Sequence, residues 1–235
     1  MPVKVILLRA LAVMGGLILT ATFVLLGNWQ IGRAQGKEAL QLRLESLHNE
    51  PAIDIGSAPL DPASIDFRSA TLRGVWVADK TVLVDNKLHH GRVGFYVVTP
   101  LKLEIGDMHV LVYRGWIEAP ASRSEPPRIA TPADMVELHG VLRQPPSRFM
   151  ELSSTTREGN IWENLTVDRF REWSGLHVQP AVVYQTDGAD DGLRRDWPAP
   201  DLNAFKHYFI ACQWYAFALV IPALFIYFWL KGRKF

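Results

Sequence analysis

The stretch ALAVMGGLILTATFVLLGNWQIG, Ala10 to Gly32, runs 23 residues without an Asp, Glu, Lys or Arg. Tyr208 to Leu230, YFIACQWYAFALVIPALFIYFWL, is another charge-free run of 23. A helix of about 20 apolar residues crosses a hydrocarbon core about 30 Å thick. Leu, Ile, Val, Phe and Ala dominate both runs. They are read as two transmembrane helices, spanning 10–32 and 207–230, near the two ends of a 235-residue chain. The first run is longer than the 7–15 residues of a signal-peptide core, and no A-x-A site follows it. An uncleaved anchor is expected.

Charge orients the pair. Lys4 and Arg9 precede the first helix, and Lys231, Arg233 and Lys234 follow the second. The positive-inside rule then places residues 1–9 and 231–235 in the cytoplasm and residues 33–206 across the membrane. In a bacterium that outer space is the periplasm and the location is the inner membrane. The mitochondrial inner membrane is the organellar equivalent. No Arg- and Ser-rich transit segment precedes the first helix, which favours the bacterial reading. All 24 acidic residues lie in the outer segment against 20 of the 25 basic ones, a net charge of −4. That balance gives no sign of nucleic-acid binding. Cys212 is the sole cysteine and lies inside the second span, so no intrachain disulfide and no thiolate pair exists.

Between the spans the periodicity changes twice. Leu26–Leu47 continues the first helix as an amphipathic extension, with Leu40, Leu44 and Leu47 at helical spacing. Pro51, Pro59 and Pro62 end it, and 49–66 reads as a loop with a short turn of helix. Thr71–Val77, Thr81–Val84, Arg92–Thr99, His109–Ile117, Val136–Leu142 and Pro180–Thr186 are short, rich in β-branched and aromatic residues, and bounded by turn formers. Glu104–Asp107 reads as a turn, and Val167–Trp173 as a short helix ended near Gly175. Ala119–Pro132 is too rich in proline for a central strand. Asp187–Pro200 reads as a flexible return. The fold class is membrane α+β, two transmembrane helices flanking a predominantly β outer domain.

Enzyme signatures are missing: no G-x-S-x-G, Walker, G-x-G-x-x-G or H-E-x-x-H pattern occurs. A catalyst is therefore not expected. His89-His90 with His109 suggests a metal site, against the simpler reading of a His pair in an exposed turn. Arg114, beside Gly115 and Trp116 at a strand end, offers a bidentate fork for a carboxylate, or a structural ion pair.

The order of several segments resembles the Surfeit locus protein family of cytochrome c oxidase assembly factors. Leu26-Gly27-Asn28-Trp29-Gln30, with Arg33 and Lys37, is similar to that family's LGxWQxxRxxxK. Gly94 through Thr99-Pro100, Leu111-Val112-Tyr113-Arg114-Gly115-Trp116 and Gly140-Val141-Leu142-Arg143 resemble its strand motifs GyxvxTP, LVNRGWv and GxLR. His207, Ala211, Trp214 and Tyr215 fall at the spacing of its HxxYAxxWF. Tyr113, Lys87, Lys206 and Ile210 depart from the pattern, standing in place of Asn, Arg, Asn and Tyr. The resemblance implies partnership with the oxidase catalytic subunit and the haem a synthesis machinery. It also implies transient binding of haem a, with His207 as the metal ligand and Trp214 and Arg114 in the cofactor site.

Helical geometry bears on that expectation. At about 100° per residue, His207 and Trp214 fall within about 20° of each other, while Cys212 is about 140° from His207 and cannot share its ligand. His207 falls at the outer membrane boundary. Lys206 or Arg114 would neutralise a propionate. The alternative is plain packing: Trp214, about 10 Å deeper, against the small stripe Ala12, Gly16 and Thr20 of the first span.

Overall fold

The computed structural model describes residues 3–120, 127–145 and 157–232. Arg233 and Lys234, counted above for orientation, and Pro126 of the proline-rich loop lie outside the described residues. The chain divides into two compact units, Met1–Glu45 with Pro200–Phe235, and Ser46–Ala199.

The first unit is a helix pair. Helix α1 runs Val3–His48 and α4 runs Phe205–Gly232. Both are long and apolar enough to cross a membrane. The expected span and its amphipathic extension form one unbroken helix of 46 residues, about 70 Å at 1.5 Å per residue. Small residues let the helices approach. A Cβ on Gly16 would overlap the Phe225 ring, and one on Gly27 would sit 2.6 Å from the Tyr215 ring. Ala34 and Ala211 are fully buried.

The second unit is a β-barrel. Its strands are β1 (Ile53–Asp54), β2 (Ser69–Trp76), β3 (Val82–His89), β4 (Arg92–Leu103), β5 (His109–Glu118), β6 (Val136–Arg143), β7 (Arg157–Glu158), β8 (Ile161–Trp162) and β9 (Val178–Gln185). The sheet order is β1-β2-β6-β9-β5-β4-β3-β8-β7, and β2 also pairs with β4. That extra pairing closes β2-β6-β9-β5-β4 into a ring. Its pairs are antiparallel except β5 with β9. The result is a five-stranded Greek-key barrel of the OB type.

Alternation fills it. One apolar cluster draws on all five ring strands: Ala70, Leu72 and Trp76; Leu101 and Leu103; Val110 and Val112; Leu138 and Leu142; Ala181 and Val183. The opposite faces of β4, β5 and β9 carry a second cluster, under β8 and helix α3 (Val167–Ser174). These strands are covered on both faces, which is why they read as continuous apolar runs. Helix α3 starts where Thr166 Oγ1 accepts from Arg169 N and ends at Gly175, in the left-handed region at φ 71°. Asp61 caps the short helix α2 (Pro62–Ile65) in the same way.

The structure corrects three readings. Strand β3 does not stop at Val84. Asn86, at φ 60°, lies in a bulge, and pairing with β4 resumes at Lys87. Strand β4 does not stop at Thr99. Pro100 falls where the strand's edge neighbour changes, β3 leaving at Val98 and β2 joining at Leu101, so its missing N–H interrupts no ladder. The Asp187–Pro200 return is fastened rather than loose: Trp116 and Arg194 exchange backbone hydrogen bonds of 2.7 and 2.9 Å.

Candidate functional site

Within the helix pair, polar side chains of α1 meet those of α4 and of the segment just before it one by one. Lys37 Nζ donates to Asp201 Oδ2 at 2.7 Å, and Tyr208 donates to Glu38 at 2.9 Å. His207 Nδ1 lies 2.7 Å from Gln30 Oε1, and Tyr215 donates to Asn28 Oδ1 at 2.6 Å. Asn28, Gln30 and Lys37 come from one sequence motif, His207 and Tyr215 from the other. The two motifs are two sides of one contact. Asp201 ionises more readily than an ordinary carboxyl, chiefly through the Lys37 hydrogen bond.

The His207 contact has a direction. An amide oxygen only accepts, so Nδ1 carries the imidazole proton. A neutral ring bonded in this way presents Nε2 as a lone pair. Gln30 is 9% exposed and holds the ring in place. Among the described residues, Nε2 takes no hydrogen bond. A ligating histidine is oriented in this way by a hydrogen bond on its other nitrogen.

Trp214 serves the same contact through its ring. It stacks on Phe23 at 5.5 Å and meets Phe217 edge-on. The small stripe at Gly16 takes Phe225 instead. Cys212 is free and exposed.

Arg114 belongs to the barrel. Gly115 pairs with Val97 and Tyr113 with Val98, so Arg114 is the extra residue of a β-bulge, a device that re-aims a side chain. Its guanidinium is 2% exposed. It donates to Thr131 Oγ1 at 2.7 Å, to the Ala130 carbonyl at 2.8 Å and to Asp191 Oδ2 at 3.2 Å. It also lies 4.9 Å from the centre of the Trp76 ring. Arg195 donates to the same Asp191 oxygen at 2.6 Å. Burial pulls the Arg114 pKa down, opposed by Asp191, and the group stays charged. A cavity of about 270 Å³ opens beside it, bounded by Trp76, Gln185 and Asp191.

The neighbours of Arg114 explain the rest of its motif. A Cβ on Gly115 would sit 2.7 Å from Leu193 Cβ and 2.9 Å from the Arg194 carbonyl, so only glycine lets the return segment lie against β5. Trp116 donates its indole N–H to the Lys87 carbonyl at 2.8 Å. Tyr113, where the resembled motif has Asn, stacks on Tyr184 at 4.6 Å and 3°. Burial pushes the Tyr113 hydroxyl far up and that of Tyr184 up to about 12.

His109 does not join His89 and His90. It is buried, with Nδ1 3.1 Å from the His177 carbonyl. Asp196 faces the His pair instead. His90 is exposed in a turn, but His89 is not: its ring packs on Trp116 at 4.7 Å.

Sequence reasoning missed Gln30 as the partner of His207, and missed Asp191 and Arg195. A signal for the first was present. Asn28 and Gln30 are amides within a charge-free run, and polar side chains inside a span mark a functional site by default.

Comparison with known proteins agrees with this layout. The SURF1 family model matches residues 17–219, covering the motif-bearing part of each long helix and the whole barrel. A SURF1-like protein of Monosiga brevicollis is 28% identical over 174 residues, 68% of this chain and 65% of its own length. A SURF1-like protein of Dictyostelium discoideum is 31% identical over 100 residues, 39% of this chain and 37% of its own. Surfeit locus protein 1 of Rattus norvegicus is 24% identical over 173 residues, 68% of this chain and 56% of its own. The chain thus spans between about a third and two thirds of the length of these relatives. With the family model covering most of its length, the chain belongs to the SURF1 family.

Proposed function

We propose that this chain is a two-span membrane factor for assembling a haem-copper cytochrome c oxidase, holding haem a for the catalytic subunit rather than catalysing a reaction. Family membership supports the assembly role through the resemblance described above. The observation that carries the haem reading is the His207–Gln30 hydrogen bond of 2.7 Å. Haem iron takes a neutral imidazole as axial ligand, and this bond favours, in a neutral ring, the tautomer that leaves Nε2 for the iron. The residues present fit such a cargo. His207 is half-buried at the start of α4, and Lys206 is an exposed cation beside it. Trp214 and Phe23 brace the helix contact below. The Arg114 guanidinium is committed to Asp191, Ala130 and Thr131 and serves the barrel. In this reading both helices cross a bacterial inner membrane with both termini cytoplasmic, and the barrel lies outside with the oxidase partners and the haem a synthesis machinery.

A protein-only scaffold is the second reading. Its support is that the helix contact is closed by its own side chains, Tyr215 over Gly27 and Trp214 on Phe23. The deciding experiment purifies the protein from cells that make haem a and records its visible spectrum. Haem a bands that disappear in His207→Ala support the chaperone. A colourless wild-type protein supports the scaffold. For either reading, deleting the gene should lower haem a-type oxidase in the membranes; normal oxidase levels would contradict both.

A further inference from the structure

His89, His90 and Asp196 bring three metal-ligating atoms together, all within 4.8 Å of one another. Both imidazole Nε2 atoms stand 3.2 Å from the same oxygen, Asp196 Oδ2. A tetrahedral ion with N and O ligands at about 2.0–2.2 Å holds those ligands about 3.3–3.5 Å apart. Both separations are close to that edge, and only the exposed His90 nitrogen forms a hydrogen bond with the carboxylate. The His89 nitrogen is buried and makes no hydrogen bond, despite facing a carboxylate oxygen at 3.2 Å. A buried polar atom without a partner requires an explanation, and a shared cation supplies one.

The local backbone prepares the same set. His90 and Gly91 both take positive φ, 45° and 80°, at the tip of the β3–β4 hairpin. Positive φ is uncommon for a residue other than glycine. It places the His90 ring 4.4 Å from that of His89. The His89 ring is held at 4.7 Å against Trp116, whose indole is itself fixed on the Lys87 carbonyl. Asp196 reaches the hairpin because Trp116 and Arg194 exchange backbone hydrogen bonds two residues earlier. His90 and Asp196 are exposed, so ions have access.

We propose that His89, His90 and Asp196 bind one divalent transition-metal ion of the zinc class, fastening the return segment to the β3–β4 hairpin. Two imidazoles and one carboxylate suit a borderline ion, with water completing the coordination. Magnesium and calcium prefer an all-oxygen shell and are disfavoured.

The test titrates the full chain in detergent with zinc, in the presence of excess magnesium, by calorimetry. The expected result is one zinc per chain, with the affinity falling more than about tenfold in His89→Ala and in Asp196→Asn. His90→Asn is the variant that guards against unfolding, since Asn tolerates the left-handed turn. It should melt like the wild type without metal but lose zinc binding and the rise in melting temperature that zinc brings. His177→Ala, at an exposed histidine elsewhere, and His207→Ala should bind as the wild type does. Absence of saturable zinc binding, or an affinity unchanged in His90→Asn, would overturn the site.

Discussion

His207 in the helix pair and Arg114 in the barrel were both candidate cofactor residues, and their surroundings differ in kind. His207 is half-buried and uses one nitrogen on Gln30, leaving the other uncommitted. Arg114 is almost fully buried and gives its terminal nitrogens to Thr131, Ala130 and Asp191. A polar side chain of the first kind can accept a ligand without dismantling the fold. One of the second kind holds the fold, because exposing or unpairing it costs more than it offers. Motif membership does not separate the two. Hydrogen-bond accounting does.

Substitutions can break that contrast from either side. The largest effect belongs to the barrel. Asp191→Ala removes the carboxylate shared by Arg114 and Arg195, leaving two cations inside the protein. Breaking a buried pair costs about 3–5 kcal/mol. A denaturant or thermal melt should show the loss, while haem per folded protein stays as in the wild type. Gln30→Leu reverses the pattern. Removing the group that orients a ligating histidine weakens the ligand about 10- to 100-fold, read by haem retention during purification. Gly115→Ala pushes a Cβ against Leu193 and the Arg194 carbonyl. Overpacking of this kind costs about 1–3 kcal/mol and should raise proteolysis of the return segment.

Alkaline pH acts on the barrel. The hydroxyls of Tyr113 and Tyr184 keep their protons in the fold above the ordinary tyrosine value of about 10. From there the unfolded state binds fewer protons than the folded one, so stability falls as pH rises. The contribution is complete below about pH 10 and is progressively lost as pH climbs through about 12. A melt series across that window checks the sign, and Tyr184→Phe should flatten it. The smallest effect is at Lys37, whose partner Asp201 is exposed. Lys37→Ala should move the Asp201 carboxyl back toward its ordinary range by NMR titration and leave the melting temperature unchanged.

Much of the architecture was legible because it follows short periods. Charge-free runs marked the two long helices, and β-branched and aromatic runs between turn formers marked six of the nine strands among the described residues. What stayed hidden breaks the period. Asn86 and Arg114 sit at bulges, where an extra residue shifts the alternation. Pro100 looks like a strand end until the change of neighbour strand is seen. Strands β1, β7 and β8 are two residues long, too short for any pattern. For the candidate site, His207 and Trp214 could be placed on one helix face from spacing alone. Gln30 lies 177 positions from His207, and Asp191 lies 77 from Arg114. Pairings at such separations are fixed by tertiary packing, and local sequence carries no record of them.

In the haem reading, Gln30 sets the His207 imidazole to ligate haem a. The most direct measurement is the visible spectrum of the purified protein from cells making haem a, taken for the wild type, His207→Ala and Gln30→Leu. Near-stoichiometric haem a is expected in the wild type, with diminished bands in Gln30→Leu and none in His207→Ala. A colourless wild type, or bands that survive His207→Ala unchanged, would contradict it.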